Sequence, residues 1–261
     1  MGLIGAAFGL GFTIGPFLGG EFSSPAERWG MFVGTVFETY PYLLPCLIAS
    51  VLSTGSLVMA YYKLPESLDL DAKTASPSAS WGREVASMAR NSVAMLSKPG
   101  IGLMIWVYTL FIFGFTIMHS VFILYTEMDS AVGGLGFSEQ DNGRIFAMIG
   151  LLGILTQGAL IGPLTRRFGT RRLIPLAILL TGLGLTLIPY TQANMAWLQL
   201  FFVVTFIAIG NGVFQPSTST YLTRLARKDG YDFGVVMGAQ ESLSAFARIF
   251  GPLTGGIVWE L

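Results

Sequence analysis

The chain has 261 residues, of which 52% are hydrophobic and 11% charged, and its mean hydropathy is +0.64; soluble domains carry roughly 25% charged residues, so the composition is that of an integral membrane protein. Fifteen basic and fifteen acidic residues cancel, leaving no electrostatic case for a nucleic-acid partner. A lone cysteine, Cys46, and a lone histidine, His119, exclude an intrachain disulfide and a cysteine- or histidine-cluster metal site, and argue against a Ser-His-Asp triad.

Crossing the hydrocarbon core takes about 20 predominantly apolar residues. Seven segments qualify, near 3–20, 41–61, 101–124, 144–164, 172–190, 196–219 and 234–258. They are too long and too little alternating for strands, and lipid demands an internally satisfied backbone, so all seven are expected to be helices. No basic region precedes the first run, which therefore reads as a span and not as a signal peptide. The second and third spans are joined by the one long connection, 62–100. Pro65 to Ser80 is rich in Ser, Ala and Asp, as in a flexible linker. Beyond it, Val85, Met88, Ser92 and Met95 fall on one stripe flanked by Arg83, Arg90 and Lys98. A helix lying on the membrane surface and an ordinary polar loop both fit that stripe.

Charge alternates between the connections. Lys63, Lys73, Arg83, Arg90 and Lys98 lie in the long connection, Arg166, Arg167, Arg171 and Arg172 between spans four and five, and Arg224, Arg227 and Lys228 between six and seven. Together they are twelve of the fifteen basic residues. The other side carries Glu21, Glu27, Glu127, Asp129, Glu139 and Asp141, with only Arg28 and Arg144 as cations. The positive-inside rule then places the N-terminus and the basic connections in the cytoplasm.

The first and seventh spans share an element. Gly11-x-x-x-Gly15-Pro16-x-x-Gly19-Gly20 matches Ala247-x-x-x-Gly251-Pro252-x-x-Gly255-Gly256 at an offset of 236 residues, six spans apart. Small residues four apart let helices approach closely, and a six-span repeat of parallel topology is a hallmark of transporters built from two six-helix halves. The first copy resembles the antiporter motif of major facilitator drug/proton exchangers, found in their fifth helix. Gly162-Pro163-Leu164-Thr165-Arg166-Arg167-Phe168-Gly169-Thr170-Arg171-Arg172 resembles that family's loop motif between helices eight and nine. It departs from that motif at Arg166, which stands where the family pattern has an acid. The segment Gly238 to Pro252 is similar to helix eleven of tetracycline-efflux-like proteins.

The resemblance implies an all-α membrane protein with a partial major facilitator fold, seven transmembrane helices of an expected twelve. Residues 1–61 would be the last two helices of the N-terminal bundle, 62–100 the cytoplasmic central linker, and 101–261 the first five helices of the C-terminal bundle. Helices one to four and twelve are then missing, and would normally come from the same chain. A bacterial inner (plasma) membrane is the expected location.

Ionisable groups at bilayer depth are costly and are site candidates by default. Glu241 and Arg248 are seven apart on the last span, with Ser244 between them on the same face and Gln240 adjacent. Glu241 reads either as a proton-carrying carboxylate or as a group touching cytoplasmic water, and Arg248 as a structural lock or part of the path. His119, in the outer half of span three, is a cavity group or an interfacial one. Asn211 and Gln215, four apart, are candidates for substrate hydrogen bonds or for interhelical bonding, as is Gln157. Tyr108, Phe111 and Phe115 form an aromatic stripe that suits core or lipid contact better than a drug pocket. Gly162, Arg166, Arg167, Gly169, Arg171 and Arg172 would form the cytoplasmic gating loop. No P-loop or GxGxxG pattern is present, so no enzyme, cofactor or metal is expected and energy must come from an ion gradient. The expectation is proton-coupled export of small, largely apolar molecules by alternating access. An importer or uniporter of the same fold, or a transport-inactive fragment, are the rivals.

Overall fold

The computed structural model describes residues 2–64, 90 and 93–260, with side chains from Leu10 onward except Phe12. The linker Pro65–Ser80 and most of the stripe beyond it lie outside the described residues; Met95 from that stripe is buried. Among the described residues all regular structure is helical. In chain order the elements are α1 (Gly2–Glu21), the short α2 (Pro25–Arg28) and α3 (Val36–Thr39), α4 (Leu43–Lys63), α5 (Ile101–Glu127), α6 (Glu139–Leu155), α7 (Ile161–Phe168), α8 (Thr170–Leu187), α9 (Ala196–Lys228) and α10 (Phe233–Glu260). Among the described residues, five segments are long and apolar enough to cross a membrane: Leu43–Lys63, Ile101–Glu127, Glu139–Phe168, Thr170–Tyr190 and Ala193–Lys228. α1 and α10 coincide with the two remaining apolar runs of the sequence.

Two helices begin or end well outside their hydropathic spans. α6 starts at Glu139, five residues earlier than the apolar run, because Ser138 and Asp141 form a reciprocal capping box that satisfies the first backbone donors. α9 runs on to Lys228, beyond the apolar run's end at 219, because its last turns still bury Leu222 and Ala226. Arg224, Arg227 and Lys228 therefore sit on a helix and not in a loop.

Close packing runs through three helix pairs, each zipped by glycine: α1 on α6, α5 on α10, and α8 on α9. In the third, a methyl group at Gly184 would meet Ile207 Cγ1 at 2.5 Å, and one at Gly210 would meet the Ala177 carbonyl at 2.8 Å. α8 buries Leu173, Ile174, Ala177 and Thr181 and leaves Leu176, Leu179 and Leu183 exposed, so it packs by one face, as expected of a peripheral helix. Lipid offers no hydrophobic drive between helices, so such fits must be made by dispersion contact at short range. One apolar core joins α5, α8, α9 and α10 around Phe214 and Tyr108; a second joins α5, α6 and α9 around Phe122, Ile145 and Phe146. α4 buries none of its residues and rests lightly on α1.

The chain ends of the helices segregate by charge. Glu21, Glu127 and Glu139 meet at one end, tied together by Arg144 and Asn142. At the other end, Gly100 before α5 approaches Leu225 beside the α9 arginines. Contacts along the helices make the α1–α6 and α8–α9 pairs antiparallel and the α5–α10 pair parallel.

Candidate functional site

Of the polar residues singled out in the sequence, Asn211 and Gln215 lie on α9 and Gln240, Glu241 and Arg248 on α10, two helices that meet α5 at a seam around Phe214 and Tyr108. Glu241 and Arg248 form an ion pair along one face of α10, with Arg248 Nη1 3.3 Å from Glu241 Oε2; both side chains are about half exposed. Ser244, fully buried between them, donates to the Glu241 carbonyl at 3.0 Å and to its carboxylate at 3.2 Å. The partner of Arg248 is thus on its own helix. Gln240 is 1% exposed, and its Oε1 has no hydrogen-bond donor among the described residues. Tyr108 of α5 lies against this group, within influence of Gln240, Glu241 and Arg248.

On α9, Gln215 donates to Asn211 at 3.3 Å, one turn back on the same helix. Both are half-buried, and the bond consumes one acceptor while leaving the remaining donors and acceptors of the pair available. Ser217 and Thr218, past Pro216, are buried with their hydroxyls unpartnered among the described residues. The aromatic stripe is core: Phe214, with no exposed surface, stacks on Phe111 at a centroid distance of 3.8 Å and on Tyr108 at 5.9 Å, and Phe111 continues to Phe115 at 6.4 Å. Phe214 was not singled out in the sequence, since a single Phe in the Gly210 to Pro216 run carries no periodic signal.

Gln157 sits on a π-helical turn, Thr156–Leu160, in which the Ile161 amide bonds to the Thr156 carbonyl. Such single turns widen a helix locally, and this one packs on α9, where a methyl group on Gly212 would meet Thr156 Cβ at 3.0 Å. His119 is apart from the seam. It is half-buried, with its ring 5.2 Å from that of Phe146, at the acidic end of α5.

The Gly162–Arg172 segment is not a loop. Ile161–Phe168 is helical, Gly169 alone breaks the chain with φ 74°, and α8 resumes at Thr170. A positive φ with no Cβ allows the reversal in one residue. Arg166 and Arg167 occupy the last turn of α7, where the helix dipole favours cations, while Arg171 and Arg172 open α8, where it does not. None of the four has an ion-pair partner among the described residues.

The glycine elements are contact surfaces. A methyl group on Gly20 would meet the Glu139 carbonyl at 2.6 Å, one on Gly143 the Pro16 carbonyl at 2.8 Å, and one on Gly150 the Thr13 Cα at 2.7 Å. In α10, a methyl group on Gly251 would come to 3.0 Å from Thr116 Cβ, and one on Gly255 to 2.9 Å from Ser120 Oγ. Thr116 and Ser120, four apart on α5, are receiving residues that hydropathy and spacing did not single out; their place within the Gly114–Ser120 run was the available signal.

Residues 1–252 match the profile of the Major Facilitator Superfamily. The chain is similar to an Arabidopsis thaliana protein named as a probable peptide/nitrate transporter, 26% identical over 275 residues covering all of this chain and 56% of that protein. It is 24% identical over 261 residues to multidrug resistance protein 2 of Bacillus subtilis, covering all of this chain and 58% of that one. It is also 24% identical over 263 residues to the class H tetracycline resistance protein of Pasteurella multocida, covering 99% of this chain and 57% of that one. The chain thus spans somewhat more than half the length of these relatives. No solved structure matches it. Two of these relatives are named for drug resistance, in keeping with the drug/proton antiporter type that the glycine-proline element resembles. With a family match over nearly its whole length and a helical fold of membrane-spanning lengths, the chain belongs to the major facilitator superfamily.

Proposed function

We propose that the chain is part of a secondary transporter that exports small, largely apolar molecules in exchange for protons by alternating access. The observation that carries the reading is the contact of α1 with α6, in which backbone meets backbone at Gly20, Gly143 and Gly150. On the family reading α1 belongs to the N-terminal bundle (its last two helices, residues 1–61), α6 to the C-terminal one (101–261), and 62–100 links them. A seam with few side chains to unlock suits two bundles that rock against each other. The multidrug and tetracycline relatives support drug-like substrates and outward transport.

In this reading the acidic end faces outward and the N-terminus is cytoplasmic, in a bacterial inner membrane. Gln240, with its buried unmet acceptor, and the Asn211–Gln215 pair supply substrate hydrogen bonds beside the Phe214 stack. Arg166, Arg167, Arg171 and Arg172 flank the one-residue hinge at Gly169 and act at the cytoplasmic gate. The protein is not an enzyme, and its partners are the substrate, protons, the bilayer and the remaining helices of the same protein. A uniporter or importer is the second reading, favoured by one observation: Glu241 is already committed to Arg248 and half exposed, which suits a lock better than a mobile proton site.

The test is efflux of a fluorescent drug from cells making the complete protein, before and after a protonophore collapses the proton gradient. Efflux should fall to that of cells lacking the protein. Efflux that continues unchanged points to the uniporter, and Glu241→Gln with intact pH dependence removes Glu241 from coupling.

A further inference from the structure

α6 and α7 are parts of one apolar rod, Glu139–Phe168, interrupted by the π turn Thr156–Leu160. Counting the backbone groups around that turn exposes a shortage of donors. The Ile161 amide reaches five residues back to the Thr156 carbonyl. From Ile161 onward the rod is regular α-helix, so the Thr165 amide serves the Ile161 carbonyl. Pro163 has no amide proton. The carbonyls of Gln157, Gly158, Ala159 and Leu160 are left with the amides of Gly162 and Leu164 alone. At least one carbonyl therefore lacks a helical donor. The Thr156 hydroxyl does not supply it, since it donates to the Leu152 carbonyl at 2.7 Å.

The turn sits deep. Ala159 is ten residues from Gly169, the break at the basic end, or about 15 Å along a helix, well inside a hydrocarbon core about 30 Å thick. Lipid has no donor to offer there. Irregular backbone at such depth is tolerated only when buried in protein or set against water. Here it is not buried: Gly158, Ala159 and Leu160 are exposed, and a methyl group on Gly158 or Gly162 would meet nothing within 4 Å among the described residues. The turn also touches both α1 and α9, which the transport reading assigns to opposite bundles. It thus stands at the boundary where that reading puts the path.

We propose that the open face of this turn lines the water-filled path between the bundles, with its unserved carbonyl hydrated and Gln157 beside it as a path residue. The inference rests on the two-bundle reading. It gives the departure from α-helix a use: bare acceptors that would be costly against lipid wet one wall of a passage otherwise lined by apolar side chains. Gln157, half-buried at the head of the turn, adds a side-chain carbonyl and two N–H donors to the same wall.

Ala159 and Leu179 make a matched pair for the test. Each is ten residues from Gly169, on the two helices that meet there, so their depths are alike, and Leu179 lies on the outward face of α8. In the complete protein carrying Cys46→Ser, which removes an exposed thiol, Ala159→Cys and Leu179→Cys are placed in nanodiscs and treated with a permanently charged methanethiosulfonate. The thiolate is the reactive form and needs water, so Ala159→Cys should react at least about tenfold faster. Gly158→Cys, whose side chain would enter open space, should match it and covers the case in which Ala159→Cys does not fold. The labelling needs neither substrate nor ion gradient, so it stands whether or not export proves to be proton-driven. Attached bulk at residue 159 should then stop efflux of the fluorescent drug, and the same bulk at 179 should not. Equal slow labelling of all three positions would mean that lipid or protein covers the turn, and would overturn the proposal. Fast labelling with undiminished efflux would put the turn in a wet crevice off the path, and would overturn it equally.

Discussion

In α1 the glycine-proline element is packed through Gly20, while Gly11, Gly15 and Gly19 have nothing among the described residues within 4 Å of where a side chain would be. In α10 the pattern is inverted. Gly251 and Gly255, which correspond to Gly15 and Gly19, are pressed on Thr116 and Ser120, whereas Gly256, which corresponds to Gly20, is open. Residues 15 and 19 lie about 100° around the helix from 16 and 20, as 3.6 residues per turn requires. The element thus builds two smooth stripes on one helix, and each copy uses a different one. What the shared sequence encodes is a helix that can be approached closely from two sides; the neighbours decide which side is used.

The largest effect is expected where backbone meets backbone. Gly150 of α6 is enclosed by the Thr13 backbone, whose Cα and N would both lie 2.7 Å from a methyl group placed there. Neither atom can swing away as a side-chain tip could. Gly150→Leu should separate α1 from α6, at a cost at the upper end of the roughly 1–3 kcal/mol of overpacking or beyond. The apparent unfolding temperature in detergent should drop sharply. An unchanged unfolding temperature would mean that the α1–α6 seam is not close in the membrane.

The α10 copy should respond less, because side-chain atoms meet it. Thr116 Oγ1 bonds to the Ile112 and Phe113 carbonyls of its own helix and reaches across to the Ala247 carbonyl at 3.2 Å. Gly251→Ala forces that hydroxyl aside and should cost about 1–2 kcal/mol. Adding Thr116→Ala removes the obstacle, so the double variant should recover part of the loss, a coupling of about 0.5–1 kcal/mol in a double-mutant cycle. Strict additivity would show that the two residues do not touch.

This difference also marks how far the sequence was legible. Hydropathy found every long helix, because crossing lipid leaves little freedom in length or composition. It misplaced the start of α6 and the end of α9, since capping at Ser138 and burial of Leu222 lie outside what an apolar run records. The family resemblance read Gly162–Arg172 as a loop, where a single positive φ at Gly169 separates two helices. Within the candidate site, the Glu241–Arg248 pair followed from a spacing of seven on one helix. The bond from Asn142 to Glu127 did not, because it joins the start of one helix to the end of another and no spacing encodes it. The choice between the two glycine stripes was hidden for the same reason.

The smallest effect, and the sharpest use of the comparison, lies at the open positions. In a helix interior Ala is better than Gly by roughly 0.5–1 kcal/mol, because it loses less backbone entropy on ordering. Where nothing packs, that gain is not offset by a clash. Gly15→Ala and Gly256→Ala should therefore leave the unfolding temperature of the 261-residue chain unchanged or raise it slightly, while Gly20→Ala lowers it against the Glu139 carbonyl. The same substitutions in the complete protein read out what covers each stripe. If Gly15→Ala is harmless in the shorter chain and damaging in the longer one, a further segment lies on the Gly11–Gly15–Gly19 stripe as α5 lies on Gly251 and Gly255. The two copies would then be packed alike after all. If it is harmless in both, the inverted packing is a real asymmetry between the copies, and their likeness stops at the sequence.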